Sequence, residues 1–218
     1  MKCAKISGTP REFPIGKILC IGRNYAEHNR ELGNEPPATP VIFMKPASSV
    51  IDDGGTIVIP PYSSDCHHEA ELALLIGKPG KNIPMEEAMS YLAGYGVAID
   101  LTLRDVQSEL KKKGLPWDIA KGFDTACPLS IFVPPEQIGD PQNLQIRLTV
   151  NDELRQDGST AMMLHTIPAI VSYMSGIFTL EPGDVILTGT PAGVSSIQSG
   201  DVVVAEISGV GSIRVTVQ

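Results

Sequence analysis

The sequence lacks any long hydrophobic run: no apolar stretch in its 218 residues approaches the ~20 residues of a membrane-spanning helix. Basic residues are also few, with 17 Lys and Arg against 25 Asp and Glu, and the formal net charge is −8. An excess of acid is unfavourable for binding nucleic acid or an anionic membrane surface. We therefore expect neither nucleic acid nor a membrane as a partner.

Cysteine is scarce as well. The four residues Cys3, Cys20, Cys66 and Cys127 form no Cys-x-x-Cys pair and have no disulfide-like spacing, which is typical of reduced thiols. Cys66 adjoins His67, but no neighbour would orient the two for nucleophilic chemistry, so we interpret Cys66 as a packing residue. The first residues also lack the apolar core of a signal peptide, and we expect a cytoplasmic protein.

No internal repeat and no low-complexity linker divides the chain, whereas glycine and proline are frequent, at 21 and 18 residues. This composition favours many short strands and turns over a helical protein. We predict an α+β fold that is mostly β, with short helices. Residues 17–218 are expected to form a single domain, with residues 1–16 packed on it as an edge strand and a loop.

Two glutamates lie at the start of the apolar run 72–76, which predicts a buried strand. Alternate residues of a strand face the same way, so Glu69 and Glu71 would lie about 6.5–7 Å apart on the face that Ala73 and Leu75 continue inwards. At an effective dielectric near 20 their charges repel by about 2–3 kcal/mol. Either a cation compensates this repulsion, or the strand end is solvated. The pair alone leaves both readings open.

A third acid, Asp100, lies in the middle of another β-like apolar run, 95–103, and a buried carboxylate there needs a partner. Three carboxylates on two buried strands suit a hard divalent cation that keeps positions for water and substrate oxygens. The alternative is that Asp100 accepts hydrogen bonds from the backbone or from an arginine. The residues by themselves do not decide between the two.

A short helix is predicted between Asn24, a candidate N-cap, and Gly33, a candidate C-terminal stop. His28 and Glu31 lie on one face of it, at i and i+3. A histidine held by a carboxylate is a general base with a raised pKa, although a surface pair of this kind contributes under ~0.5 kcal/mol. The proline-rich residues 34–40 predict a stiff connector on which this helix could hinge.

A second, amphipathic helix is predicted from Arg104 to Lys113, closed by Gly114. The run 111–113 is interpreted as solvated lysines that complement the helix C-terminus. Trp117 is interpreted as a packing residue. The run 184–191 leads into a glycine-lined loop without the Lys-Ser/Thr of a phosphate-binding loop, so we predict no nucleotide site there.

Several motifs occur in one order along the chain: GRNYAEH from Gly22, HHEAEL from His67, GYGVAIDLTLRDVQ from Gly94, KKKGLPW from Lys111, and GDVILTGTPAG from Gly183. Together they resemble the fumarylacetoacetate hydrolase family, from about Lys17 to the C-terminus. The likeness is strongest to its small single-domain members, the acylpyruvases and oxaloacetate decarboxylases.

The resemblance implies a mixed β-sandwich roll with short helices, built as a homodimer. It implies that Glu69, Glu71 and Asp100 hold Mg²⁺ or Mn²⁺. It also implies that His28 and Glu31 activate water on a lid helix, while Lys121 offsets charge and donates to an oxyanion. Substrate-binding roles are implied for Arg23, Lys45, Arg104, Gln107 and Thr190.

The implied activity is a magnesium-dependent hydrolase that cleaves a C–C bond of acylpyruvates, releasing pyruvate and a carboxylic acid through a metal-stabilised enolate. The substrate is then a small α-keto acid. Two alternatives are an oxaloacetate decarboxylase or tautomerase, and a decarboxylase or isomerase of a longer 2-oxo dioic acid from aromatic catabolism. A third, of another class, is a non-catalytic metal-stabilised binding module, which would not need His28 and Glu31.

Overall fold

The computed structural model describes residues 1–33, 35 and 39–218. Most of the predicted connector, residues 34 and 36–38, lies outside the described residues. The strands are β1 (Cys3–Lys5), β2 (Glu12–Pro14), β3 (Lys17–Gly22), β4 (Val41–Pro46), β5 (Val50–Ile51), β6 (Thr56–Ile57), β7 (Cys66–His67), β8 (Ala70–Ile76), β9 (Leu92–Ile99), β10 (Thr102–Leu103), β11 (Cys127–Pro128), β12 (Gln145–Val150), β13 (Glu153–Ser159), β14 (Val185–Leu187), β15 (Ser196–Ile197), β16 (Val202–Ile207) and β17 (Gly211–Val217). The α-helices are α1 (Ala26–Glu31), α2 (Arg104–Lys113), α3 (Asp118–Lys121) and α4 (Ile167–Ile177). Short 3₁₀ helices span Ala47–Ser49, Met85–Tyr91, Pro135–Gln137 and Thr160–Met162.

Two five-stranded sheets form the body of the fold. The central sheet has the order β4-β3-β14-β8-β9, and the outer sheet has the order β13-β12-β16-β17-β6. Each is mixed, because β14 runs parallel to β3 and β17 runs parallel to β6 among antiparallel neighbours. Side chains from both sheets belong to one hydrophobic core. The fold is thus mostly β, with short helices, as the sequence predicts.

The strand β8 is buried on both of its faces. Leu72, Leu74 and Ile76 belong to the core between the two sheets, while Ala73 and Leu75 belong to a second core on the opposite side of the central sheet. Burial on both faces explains why this segment is continuously apolar rather than alternating. Burying one such leucine stabilises the fold by about 1.5–3 kcal/mol, so the strand that carries the acids is held firmly.

The N-terminal segment is more regular than the predicted edge strand and loop. Strands β1 and β2 pair in an antiparallel hairpin. Phe132 N–H donates to Lys5 O at 2.8 Å, and Ser7 N–H donates to Phe132 O at 2.8 Å. Phe13 and Ile15 are buried in the second core. The hairpin therefore covers the side of the central sheet that faces away from the outer sheet.

Several local predictions agree with the structure. Helix α2 spans the predicted residues and ends at Gly114, whose φ of 64° is left-handed. Asn151 and Asp152, with φ of 52° and 65°, form the two-residue turn between β12 and β13 that an Asn-Asp pair favours. All four cysteines are free thiols. None of the described helices has the length and apolar character that a membrane crossing needs.

The predicted cap of the first helix is wrong. Tyr25, not Asn24, occupies the N-cap position of α1, and it makes no side-chain capping hydrogen bond. Asn24 Nδ2 donates to Thr188 O at 2.8 Å, and Asn24 Oδ1 accepts from His165 N–H at 2.7 Å. The local sequence favoured a cap, but the side-chain amide of Asn24 instead makes these two long-range hydrogen bonds. They fix the start of the helix against the central sheet.

Candidate metal centre and active site

Three carboxylates meet where two antiparallel strands of the central sheet end together. Glu71 lies in β8 and Glu69 just before it, while Asp100 directly follows β9. Asp100 is thus at a strand end, not in the middle of a strand as predicted. The antiparallel register brings the start of β8 beside the end of β9, and Asp100 N–H donates to Glu69 O at 2.8 Å. One oxygen from each carboxylate lies within 4.8 Å of the others.

Three cations surround this triad, two of them buried (Lys45 and Lys121) and one partly buried (Arg104). Lys121 Nζ donates to Glu69 Oε2 at 2.9 Å and to Asp100 Oδ2 at 2.7 Å, and Arg104 pairs with the other oxygen of Glu69. Burial would lower the pKa of Lys121, but the carboxylates of Asp100 and Glu69 outweigh it and raise that pKa above its ordinary value. Lys121 is therefore a protonated donor and not a base.

Lys45, to which the resemblance gave a substrate-binding role, lies behind the triad. Its ammonium is fully buried and donates to the carbonyls of Leu101 at 3.1 Å, Ala126 at 2.9 Å and Lys121. It also lies 2.8 Å from Asp100 Oδ1 as an ion pair. All three of its N–H donors are used by carbonyls, and its charge offsets that of Asp100 from the side away from the cavity. Lys45 is not among the residues that line the cavity. Its assignment as a substrate ligand stays a prediction.

The triad fits a divalent cation. Burial, followed by repulsion from Asp100 and Glu69, raises the pKa of Glu71 well above its ordinary range. Among the described residues no cation pairs with Glu71, and Asp100 Oδ1 has the ion pair with Lys45 but accepts no hydrogen bond of good geometry. A cation at this point would relieve the repulsion and satisfy that oxygen. Buried carboxylate oxygens are the ligands that Mg²⁺ and Mn²⁺ accept.

The segment 188–195 joins the triad to the rest of the cavity. Gly189 N–H donates to Glu71 Oε2 at 2.6 Å. The φ of Gly189 is +91°, and a Cβ there would lie 2.8 Å from the Cβ of Asn24, so the position requires glycine. The Thr190 hydroxyl donates to Ala70 O at 2.8 Å. The resemblance implies a substrate-binding role for Thr190, but the proton of its hydroxyl is used inside the protein.

A fully buried glutamine that the sequence analysis missed ties this segment to the metal strand. Gln156 Oε1 accepts from Ala70 N–H at 3.0 Å, and Gln156 Nε2 donates to Thr190 Oγ1 at 2.7 Å. His68 Nδ1 lies 3.1 Å from the same Oε1 and must carry the proton, which leaves Nε2 to accept from the Ser195 hydroxyl at 2.9 Å. Burial lowers the pKa of His68 to about 4, so the ring is neutral.

Helix α1 brings His28 and Glu31 over the triad. His28 lines the same cavity as Glu69, Glu71 and Asp100, and its Nδ1 lies 3.4 Å from Glu31 Oε2. Gly193 N–H donates to both oxygens of Glu31, at 3.1 and 3.2 Å. The φ of Gly193 is +98°, and a Cβ would lie 2.0 Å from Arg155 O. Glu31 thus holds the histidine and fastens the helix to the 188–195 segment.

The predicted raised pKa of His28 is wrong. Burial lowers its pKa below 6.5, although the charge of Glu69 and the hydrogen bond that His28 donates to Glu31 act in the opposite direction. The residue is only 6% exposed, so the loss of hydration outweighs the attraction of the carboxylates. His28 is therefore neutral at pH 7, which is the form that a general base requires.

The remaining wall of the cavity comes from α2 and from two aromatic rings. Arg104 Nη1 donates to Gln107 Oε1 at 2.9 Å, and both side chains line the cavity. Arg23 also lines it and has a left-handed backbone φ of 63°. The structure thus brings four of the five residues predicted to bind substrate, Arg23, Arg104, Gln107 and Thr190, around one space, without Lys45. Their substrate-binding roles stay predictions.

Two predicted surface or packing residues lie at the cavity instead. Lys111 lines it and is half-buried, with Nζ 5.1 Å from the centroid of the Trp117 ring, whereas Lys112 and Lys113 are exposed. Trp117 also lines the cavity and packs against Phe43, with ring centroids 5.9 Å apart. Lys111 lies at i+7 from Arg104 and i+4 from Gln107 on the predicted helix, so this spacing could have separated it from its two neighbours.

Comparison with known proteins agrees with this arrangement. Oxaloacetate tautomerase FAHD1, mitochondrial, of Bos taurus is 49% identical over 201 residues, which cover 92% of this chain and 91% of that protein. Oxaloacetate tautomerase YcgM of Escherichia coli (strain K12) is 49% identical over 195 residues, covering 89% of each. The crystal structure of fumarylpyruvate hydrolase from Pseudomonas aeruginosa in complex with Mn²⁺ and pyruvate superposes with a TM-score of 0.95 at 37% identity.

That structural match covers 99% of this chain and 95% of the Pseudomonas aeruginosa chain, which confirms the expected fold. Residues 17–218 match the family described as fumarylacetoacetate (FAA) hydrolase C-terminal. The matched span begins where the resemblance in the sequence begins. The chain therefore belongs to the fumarylacetoacetate hydrolase family of enzymes.

Proposed function

We propose that the chain is a magnesium-dependent hydrolase that cleaves 2,4-dioxo acids, the acylpyruvates, into pyruvate and a carboxylic acid. One observation carries this proposal: a neutral, carboxylate-held histidine faces three clustered carboxylates across a single cavity. Hydrolysis of a C–C bond needs both a positioned base for water and a means of stabilising the leaving enolate. A binding module would need neither.

Glu69, Glu71 and Asp100 would hold the ion, and all three are buried. A divalent ion held there supplies Lewis-acid stabilisation of the negative charge that develops on the 2-oxo oxygen. Mg²⁺ is our assignment because all the ligand atoms are carboxylate oxygens. The Mn²⁺ in the Pseudomonas aeruginosa relative supports a divalent ion and leaves Mn²⁺ as an alternative.

The protein groups divide the remaining work. His28 takes a proton from the water that attacks the distal carbonyl, and Glu31 orients the imidazole. Lys121, kept protonated by Asp100 and Glu69, donates to the developing oxyanion. Arg104 and Gln107, hydrogen-bonded to each other, hold substrate oxygens from the side of α2. Preorganised donors of this kind are each typically worth about 10²–10³-fold in rate.

The second candidate function is oxaloacetate tautomerisation or decarboxylation, and two relatives at 49% identity with the name oxaloacetate tautomerase favour it. Tautomerisation moves a proton between a carbon and an oxygen, so it needs a group that both takes and gives a proton. His28 is the cavity residue suited to this. Decarboxylation needs stabilisation of the enolate but no base for water. Isomerisation of a longer 2-oxo dioic acid makes the same demand on His28 as tautomerisation.

We further propose a cytoplasmic homodimer in which residues 17–218 form one catalytic domain and the hairpin of residues 1–16 packs on it. The buried side chains of that hairpin support the division. The mitochondrial designation of the Bos taurus relative marks the alternative compartment.

The deciding experiment is a rate comparison with purified protein and Mg²⁺. Acetylpyruvate hydrolysis, the enol–keto conversion of oxaloacetate and carbon dioxide release from oxaloacetate are measured at equal substrate concentrations. The hydrolase proposal expects acetylpyruvate to have the highest kcat/KM. A higher kcat/KM for the conversion of oxaloacetate would transfer the assignment to the second candidate. Absence of all three activities with Mg²⁺ or Mn²⁺ would overturn both.

A further inference from the structure

His68 is a fully buried polar side chain to which the proposed function gives no role. Its ring lies between the strand that carries the triad and the segment 188–195. We propose that His68 is a positioning residue of the active site: through Ser195 it fixes the part of this segment that holds Glu31, and thereby the position of His28 relative to the triad. For the role of His28 as a base, the inference rests on the proposed function.

The ring of His68 connects two parts of the chain with one hydrogen bond at each nitrogen. Nδ1 donates to Gln156 Oε1 at 3.1 Å, and Nε2 accepts from the Ser195 hydroxyl at 2.9 Å. The backbone makes the same connection, because His68 N–H donates to Ser195 O at 3.2 Å and continues the pairing of β7 with β15. A buried imidazole is unfavourable unless its nitrogens have partners. Both partners of His68 belong to the connection.

Two attachment points lie on either side of Gly193. On one side, Gln156 Nε2 donates to Pro191 O at 2.9 Å. On the other side, His68 holds Ser195 through its ring and its backbone. Residues 191–195 form neither helix nor strand, so the path of this stretch depends on such attachments. Gly193 is at its centre, and the link from His68 to Ser195 therefore helps to fix it.

The position of Gly193 matters because it reaches the proposed base. Its N–H donates to both oxygens of Glu31, and Glu31 Oε2 lies 3.4 Å from His28 Nδ1. Helix α1 has only six residues and no side-chain cap, so a shift of Gly193 would move Glu31 and the imidazole with it. A misplacement of about 1 Å at a reacting group can lower a rate by about 10²-fold.

The other end of the segment contacts the triad strand by bonds that do not involve Ser195. Gly189 N–H donates to Glu71 Oε2 at 2.6 Å, and the Thr188 hydroxyl donates to Leu72 O at 2.9 Å. Loss of the link between His68 and Ser195 should therefore disturb His28 while the metal ligands stay in place. A residue that only packs the interior would not separate the two in this way.

Ser195→Ala is the first test, because it removes one hydroxyl and leaves the His68 ring in place. Supporting groups of this kind typically change activity by about 10–100-fold, and we expect kcat for acetylpyruvate hydrolysis to fall by about 10-fold. Carbon dioxide release from oxaloacetate should be unchanged, and so should the dissociation constant of Mg²⁺ measured by calorimetry. Ser195→Thr keeps the hydroxyl and should retain hydrolysis.

His68→Phe keeps an aromatic ring and loses both hydrogen bonds. It should lower hydrolysis at least as much as Ser195→Ala and, through Gln156, weaken Mg²⁺ binding as well. Ser196→Ala is the matched control, since it makes the same change one residue further along at an exposed position, and it should alter nothing. Equal losses of hydrolysis and decarboxylation in Ser195→Ala would overturn the proposal. Full hydrolysis in both Ser195→Ala and His68→Phe would overturn it too.

A spectroscopic test does not depend on turnover. The chain has four histidines, so nitrogen NMR of protein labelled at histidine follows each ring, and His68→Phe assigns the signal of His68. That ring should carry its proton on Nδ1. The His28 signal should shift in Ser195→Ala and not in Ser196→Ala. A proton on Nε2 of His68, or an unshifted His28, would overturn the link. A shifted His28 in a protein that does not hydrolyse acetylpyruvate would refute the proposed function while the link stands.

Discussion

The two sides of the active site are built in different ways. The triad side is part of the central sheet: Glu69, Glu71 and Asp100 are at most 5% exposed, and backbone pairing fixes their spacing. The lid side is the six-residue helix α1, which has no side-chain cap and is fastened through Glu31 to Gly193. A strand buried on both faces resists displacement, whereas a two-turn helix with few bonds can move. In the proposed function, metal binding belongs to the rigid side and water activation to the side that can open.

The largest effect on this difference between the triad side and the lid side is expected from removing one carboxylate of the triad. Glu71→Gln should abolish metal binding and all turnover, because a neutral amide is a weak ligand for a hard cation. The metal-free variant should be at least as stable as the metal-free wild type near pH 7. The pKa of Glu71 is raised on folding, so ionisation of Glu71 destabilises the metal-free fold increasingly as pH rises above its ordinary value of 4.5.

Metal content, activity and thermal unfolding are the measurements for this variant. Glu109→Gln, an exposed change of the same kind, is the control and should have no effect. Full wild-type activity in excess EDTA would contradict the metal site itself.

On the lid side, His28→Ala should lower the rates of the three reactions to different extents. General-base assistance is worth about 10²–10⁴-fold, so acylpyruvate hydrolysis should fall by that amount with metal occupancy unchanged. Tautomerisation of oxaloacetate should fall too, because it needs a proton carrier. Decarboxylation should fall much less. Glu27→Ala, on the exposed face of the same helix, controls for damage to α1. An equal loss in all three reactions would remove His28 from the role of base.

Lys121→Ala and Asp100→Asn should affect the reactions equally, in contrast to His28→Ala. Both should impair hydrolysis and decarboxylation alike, because Lys121 and Asp100 act at the enolate that the two reactions share. The measurement is kcat/KM on acetylpyruvate and oxaloacetate with metal occupancy determined in each variant. Selective loss of one reaction would contradict the division between the two sides.

A smaller effect is expected from the support behind the triad. Gln156→Leu removes the hydrogen bonds to Ala70 N–H and Thr190 Oγ1, and such supporting groups typically change metal affinity by about 10–100-fold. Activity should recover at saturating Mg²⁺, since the ligands themselves remain. Metal titration of activity and of bound metal checks this. A lower melting temperature with unchanged metal affinity would make Gln156 a purely structural residue.

The smallest expected effect is a shift in the pH profile. Hydrolysis requires neutral His28, so its kcat/KM should fall as pH drops through a pKa that lies below 6.5. Glu31 raises that pKa, and Glu31→Gln should therefore move the acid limb to lower pH while reducing the maximal rate. The oxygen of a glutamine can still accept from Gly193 N–H. An acid limb that stays in place would show that another group controls it.

Much of the catalytic centre could be predicted from the sequence. Acids within apolar strands are costly, so Glu69, Glu71 and Asp100 stood out by local pattern, and the i, i+3 spacing of His28 and Glu31 was equally local. The family motifs joined these segments in order. Helix α2 and the Asn151–Asp152 turn were predictable because their signals are also contained within a few residues.

Other features depended on contacts between distant parts of the chain. Gln156 meets Ala70 across 86 positions, and no periodicity in β13 marks a glutamine that will support a metal strand. The pKa of His28 was misjudged because its burial is a property of the closed cavity, not of the helix.

The sequence by itself determined which carboxylates stand out and which apolar segments carry them, because burying a carboxylate or breaking an apolar pattern is unfavourable wherever it occurs. The tertiary structure alone decided how the charges are shared. It placed Lys45 behind Asp100 and Lys121 between Asp100 and Glu69, and it turned Lys111 towards the cavity. Electrostatic energy depends on distance and burial in three dimensions, and neither is written in the spacing of residues along the chain.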